Sequence, residues 1–102
     1  MTASEQAVQM NVDPVSKQPS VKAFPNPFED MVRFTMESPE RIQCNLVLYT
    51  SSGKLISKVF DGVLEANVSR TVQTIIPSLY KGAIVYVLTY NGQVVTGKIL
   101  KK

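Results

Sequence analysis

From Val21 onward, apolar and polar residues alternate in short runs, with the two-residue period of a strand that buries one face. Val32, Phe34 and Met36 alternate with Arg33, Thr35 and Glu37, and Ile42, Cys44, Leu46 and Leu48 alternate with Gln43 and Asn45. Ile84, Tyr86, Leu88 and Tyr90 repeat the pattern near the end of the chain. Val21 to Phe24, Leu55 to Phe60, Val68 to Ile76 and Val94 to Leu100 are further runs rich in strand-forming residues. No helical periodicity competes with them.

The breaks between runs have their own chemistry. Pro25-Asn26-Pro27 is a rigid turn, because each proline fixes φ and removes a donor. Ser38-Pro39-Glu40 and Pro77 interrupt strands, and Ser51-Ser52-Gly53-Lys54 is a turn with glycine where φ can be positive. Asn91-Gly92 between two apolar-rich runs predicts a terminal β-hairpin, since a type I′ turn needs positive φ at both central positions. Asp61-Gly62 opens a stretch to Asn67 that reads as a tight turn or the start of a loop, the loop being preferred. Ser78 to Gly82 reads as a short turn with Leu79 as its buried anchor.

About seven short strands at this spacing predict an all-β domain, an immunoglobulin-like antiparallel β-sandwich. Residues 1–20, polar and proline-bearing, read as a flexible linker, with a short strand expected at Ala7 to Val12; residues 21–102 form the domain. The immunoglobulin disulfide and tryptophan are absent, so the likeness to that fold is architectural.

Composition narrows the function classes. The 102 residues suit one compact core, and 44% hydrophobic with 19% charged residues is ordinary for a folded soluble protein. The net charge of +3 is spread along the chain, apart from Lys98, Lys101 and Lys102, which argues against a nucleic-acid partner. With no histidine and one cysteine, Ser/His/Asp and Cys/His sites are excluded within this chain. So are zinc sites built from four cysteines or from paired cysteines and histidines. Neither catalysis nor a cofactor is expected, because the ionisable groups show no convergent arrangement. Cys44, on the parity of Ile42 and Leu46, reads as a small core hydrophobe. No apolar run approaches a membrane helix and no secretory leader opens the sequence, so if the protein is exported this chain is expected to be a fragment of it.

Three separated segments carry a resemblance. They are Phe24-Pro25-Asn26-Pro27-Phe28; Leu48-Tyr49-Thr50-Ser51-Ser52-Gly53-Lys54-Leu55-Ile56; and Leu79-Tyr80-Lys81-Gly82 through Asn91-Gly92 to Lys98-Ile99-Leu100-Lys101-Lys102. In order, spacing and placement, the stretch from Ser20 to Lys102 resembles the type A C-terminal sorting domains of type IX secretion cargo, the Por secretion system sorting domain family. Thr50 stands where that family usually has aspartate, and Ile84 where tyrosine is common, with Tyr86 two residues on facing the same side.

The resemblance implies a secretion signal and not a catalyst. Cargo of this kind crosses the inner membrane by a separate signal and folds in the periplasm. The outer-membrane translocon then reads the folded domain. A surface sortase usually cleaves before it and joins the cargo to an anionic lipopolysaccharide, at the outer-membrane surface or beyond. Recognition is expected at Lys98, Ile99, Leu100, Lys101 and Lys102, with Pro25, Asn26, Pro27, Gly53, Lys54, Leu79, Gly82, Asn91 and Gly92 as structural motif positions. Deleting the chain from Lys98 onward is expected to block export while leaving the fold largely intact.

Each motif also has a plainer reading. The terminal lysines serve either as edge-strand charge that discourages aggregation or as contacts to an acidic receptor. Glu29-Asp30 reads as a solvated pair, and Asn67-Val68-Ser69 fits a glycosylation sequon of little weight. Tyr80, Tyr86 and Tyr90 favour packing over a sugar-stacking platform. The alternative function is an accessory adhesion or carbohydrate-binding module, which would need such an exposed aromatic face or a groove.

Overall fold

A computed structural model describes residues 18–102. Among them, seven strands form: β1 Ser20–Phe24, β2 Met31–Glu37, β3 Ile42–Thr50, β4 Leu55–Leu64, β5 Arg70–Ile75, β6 Gly82–Tyr90 and β7 Gln93–Lys101. They pair antiparallel in two sheets, one of three strands in the order β1-β2-β5 and one of four in the order β4-β3-β6-β7. This is the β-sandwich that the alternating runs predict, with the three-plus-four division of a seven-strand immunoglobulin-type arrangement. The expected strand at Ala7 to Val12 and most of the expected linker lie outside the described residues.

Alternation decides what the sheets hide. Val32, Phe34 and Met36 of β2 are fully buried, and across from them lie Ile42, Cys44, Leu46 and Leu48 of β3, Ile84, Leu88 and Tyr90 of β6, and Ile99 of β7. Burying such side chains is worth about 1.5–3 kcal/mol each against leaving them in water. The single cysteine sits within this core, 3% exposed, as its parity predicts.

The hairpin at Asn91-Gly92 forms as expected. Tyr90 pairs with Gln93, and the two turn residues take φ of 47° and 73°, which an asparagine tolerates and a glycine adopts without steric cost. At Ser38 the chain leaves one sheet for the other. Its buried hydroxyl donates to the Glu40 carbonyl at 2.6 Å, its carbonyl accepts the Asn67 N–H at 2.7 Å, and Ser38 forms a single parallel bridge with Ala66.

Two local expectations are corrected. The loop preferred from Asp61 does not form: β4 runs through Asp61 and Gly62 to Leu64, pairing Asn45 with Asp61 and Cys44 with Gly62. Pairing with the central strand β3 overrides the turn preference of Asp-Gly. The irregularities in register lie on the other side of Phe60, between Leu46 and Val47 and between Leu48 and Tyr49. At Gly62 a Cβ would meet the Phe60 ring at ordinary contact distance, 3.4 Å from its Cζ, so the strand accepts glycine there without requiring it. Leu79 is not a buried anchor: it is 73% exposed, and Ile76, 1% exposed, supplies the buried contact instead. Pro77 accepts the Tyr80 N–H at 3.0 Å, so the turn is closed by backbone and does not require an apolar anchor.

Candidate functional site

Register brings parts of all three segments to one end of the sandwich. Across the larger sheet Thr50 pairs with Ile84 and Ile84 with Ile99, so the end of β3, the start of β6 and the end of β7 lie side by side. Gly82 pairs with Lys101, and the segment after Pro27 joins the outer edge of β7 through a parallel bridge between Phe28 and Lys101. The Ser51–Lys54 turn closes the same end. Asn91 and Gly92, by contrast, lie at the opposite end, so the hairpin turn is not part of this grouping.

The Pro25-Asn26-Pro27 corner is tied to the terminal strand by hydrogen bonds. Leu100 donates its N–H to Asn26 Oδ1 at 3.0 Å, Phe28 donates to the Leu100 carbonyl at 2.9 Å, and Lys102 donates to the Phe28 carbonyl at 2.8 Å. The Leu100 N–H needs an acceptor, and the Asn26 carboxamide oxygen supplies it. Both prolines follow cis peptide bonds. The corner thus closes part of an edge that would otherwise leave its backbone groups unpaired.

The terminal residues differ sharply in exposure. Ile99 is 1% exposed and belongs to the core. Lys101 is also buried: its ammonium donates to the Glu29 carbonyl, stands 4.0 Å from Asp30 Oδ1, and lies 5.7 Å from the centre of the Phe28 ring. A buried ammonium is costly unless compensated, and here a carbonyl, a carboxylate and an aromatic face share that task. Lys98, Leu100 and Lys102 remain exposed. Removing the chain from Lys98 therefore takes away core and edge pairing together, which corrects the expectation of a largely intact fold.

Thr50 organises the turn that follows β3. The Thr50 hydroxyl accepts the Lys54 N–H at 3.0 Å, its N–H donates to the Lys54 carbonyl at 2.8 Å, and Gly53, with φ of 92°, donates to the Thr50 carbonyl at 2.9 Å. An oxygen acceptor is what the position needs, and a hydroxyl serves there as a carboxylate would. Ile84 is fully buried, and Tyr86 supplies an aromatic ring, edge-on to Phe34 with centroids 5.6 Å apart. That ring also covers Gly97: a Cβ there would lie 2.2 Å from Tyr86 Cζ.

The tyrosines do not form a stacking platform. Tyr90 is 7% exposed and donates its hydroxyl to Gln93 Oε1 at 3.0 Å, while Tyr86 faces the core. The adhesion or carbohydrate-binding alternative thus finds no aromatic platform in Tyr86 and Tyr90, and only a groove could serve it.

Sequence reasoning missed the partners of Lys101. Glu29 and Asp30 read as solvated, yet the Glu29 carbonyl holds a lysine far along the chain, and Asp30 accepts the Ile76 N–H at 2.9 Å through its own carbonyl. No local pattern announces such contacts. Beside them Pro25, Pro27, Met31, Arg33 and Lys102 line a surface groove of about 410 Å3. A second groove, of about 300 Å3, lies at the opposite end between Gln43, Asn45, Asp61, Thr89 and Asn91. Cys44 lies beneath it, where burial first and the Asp61 carboxylate second push the thiol above its ordinary pKa. The thiol is therefore held neutral, the opposite of what a nucleophile needs. Comparison with protein-family models, with curated proteins and with solved structures finds no match to this chain.

Proposed function

We propose that this chain is a C-terminal sorting domain of the type IX secretion kind, an address read in its folded form. It directs a cargo through the periplasm to the outer-membrane surface or the extracellular space. One observation carries the reading: the proline corner, the Ser51–Lys54 turn and the last residues of the chain meet at one end of the sandwich, and the corner is hydrogen-bonded to the terminal strand.

A signal read from a folded protein needs parts that hold a fixed relation to one another. Pairing of Asn26 and Phe28 with Leu100 and Lys102 gives that relation between residues far apart in sequence. The partners on this reading are the outer-membrane translocon and sortase machinery, with anionic lipopolysaccharide joined to the processed cargo.

The test is a fusion of the full 102-residue chain to an inert reporter carrying an inner-membrane signal, expressed in a type IX-competent host. The reporter is expected at the cell surface or in the medium, and in the periplasm when the type IX system is disabled. Retention in the periplasm of the competent host refutes the proposal.

A further inference from the structure

The outer face of the four-stranded sheet changes character along its length. Register sets Leu55, Tyr49, Val85 and Lys98 in one row across the four strands, and Lys58, Val47, Val87 and Thr96 in the next. A third row holds Asp61, Asn45, Thr89 and Val94, while Ala83 pairs with Leu100 beyond the first. The half near the proline corner is thus mainly aliphatic, and the half near Asn91 mainly polar. The solvent side of an antiparallel sheet ordinarily carries polar residues. Leu55 and Leu100 are instead 58% and 52% exposed.

Charge is distributed with the same polarity. Lys98 ends the first row, and Lys54, Lys81 and Lys102 stand next to Leu55, Gly82 and Lys101 at that end. The ion pairs among the described residues are Arg41–Glu65, Lys58–Asp61 and Lys101–Asp30, so these four lysines have no carboxylate partner there. Glu37, Glu40 and Glu65 lie at the opposite end, where β2 and β4 finish; the exposed Glu29 and Asp30 stand at the lysine end beside Lys102, where Lys54, Lys81, Lys98, Lys101 and Lys102 outnumber them. An aliphatic patch therefore has positive charge along its border.

We infer that this lysine-bordered half-face is the surface by which the export apparatus holds the domain, and that its partner is an acidic protein surface with an apolar centre. The inference rests on the proposed sorting function. Lysines without partners attract an acidic surface over about a Debye length and orient the encounter. The aliphatic row then supplies contact area that holds the complex. Four strands about 4.8 Å apart make a face roughly 14 Å wide, the scale on which another sheet or a helix packs.

A lipid surface fits less well. Membrane-surface binding draws on Trp, Phe or Leu side chains sunk about 5–10 Å past the headgroups. On this half-face Leu55 and Leu100 are the exposed aliphatic side chains, while Val47, Val85, Val87 and Tyr49 are half-buried between neighbours, which leaves two side chains to sink that deep.

The test uses the fusion described above with Leu55→Asp, Lys98→Glu and, on the outer face of the other sheet, Lys22→Glu. Urea unfolding reports whether each variant is folded. Leu55→Asp and Lys98→Glu are expected to lower export at least tenfold, and Lys22→Glu to leave it unchanged. Where Leu55→Asp unfolds, the exposed Lys98→Glu decides. Export of the folded variants at the unsubstituted level overturns the inference and leaves the sorting function standing, as does an equal loss with Lys22→Glu. Failure of the unsubstituted fusion overturns both. Co-sedimentation of the full chain with phosphatidylglycerol vesicles, abolished by Leu55→Asp, overturns the inference in favour of a lipid surface.

Discussion

Deleting residues 98–102 asks whether the end of the chain is a detachable tail or a part of the fold. The deletion removes Ile99, which is 1% exposed, and with it a share of the contact between the sheets. Truncating a buried isoleucine to alanine costs about 2–5 kcal/mol, and loss of the whole residue costs at least as much. It also removes the Leu100 bond to Asn26 and the two backbone bonds that join Phe28 to Leu100 and Lys102, each worth about 0.5–1.5 kcal/mol. Phe28, fully buried in the intact domain, loses its cover from Lys101. Together these losses come to about 3.5–9.5 kcal/mol, against a total stability of about 5–15 kcal/mol for a domain of ordinary stability. The deleted chain should lose about 3.5 kcal/mol of its stability at the least at 25 °C. Urea denaturation followed by circular dichroism measures this, with near-ultraviolet signal and backbone amide dispersion in NMR as checks on tertiary order. A deleted chain that unfolds at the same urea midpoint as the intact one refutes the packing argument. It would also restore the view that the last residues act as a free tail.

Other substitutions probe single contacts. Gly97→Ala places a Cβ against the Tyr86 ring and should destabilise by about 1–3 kcal/mol, less when Tyr86→Ala is also present; a double-mutant cycle in urea measures the coupling. Leu79→Ser should change stability by less than about 0.5 kcal/mol, because the side chain is 73% exposed; a thermal shift of several degrees would contradict its placement. The buried Cys44 thiol keeps its proton above the pH at which the unfolded thiol, with a pKa of about 8.5, loses it. Stability should therefore fall as pH rises from that value towards the raised native one, by at most about 1.4 kcal/mol per pH unit. Cys44→Ala should be less stable at neutral pH but lack this component, and a difference between the two proteins that stays constant from pH 7 to 10 would refute the assignment.

The class of fold and much of the core are legible in local pattern. The two-residue period of Val32, Phe34 and Met36, and of Ile42 to Leu48, states which face must be buried whatever the partner strand, because successive strand side chains point to opposite sides. The Asn91-Gly92 hairpin is legible for a local reason as well: few residue pairs accept two consecutive positive φ values. Whatever depends on partners in space is set only by the folded arrangement. Asp61-Gly62 carries turn chemistry, yet it lies within β4 because β3 supplies a complete set of partners. Leu79 is apolar, yet its turn is closed by backbone and leaves the side chain in water. The same holds at the candidate site. Lys98, Lys101 and Lys102 are equivalent by composition; alternation puts Lys101 on the inward side with Ile99, but its partners Phe28, Glu29 and Asp30 come from far along the chain. The proline corner and the terminal strand are far apart along the chain, as the 74-residue separation of Asn26 and Leu100 records. Their contact has no local sequence pattern, because it exists only once the two sheets have closed on each other.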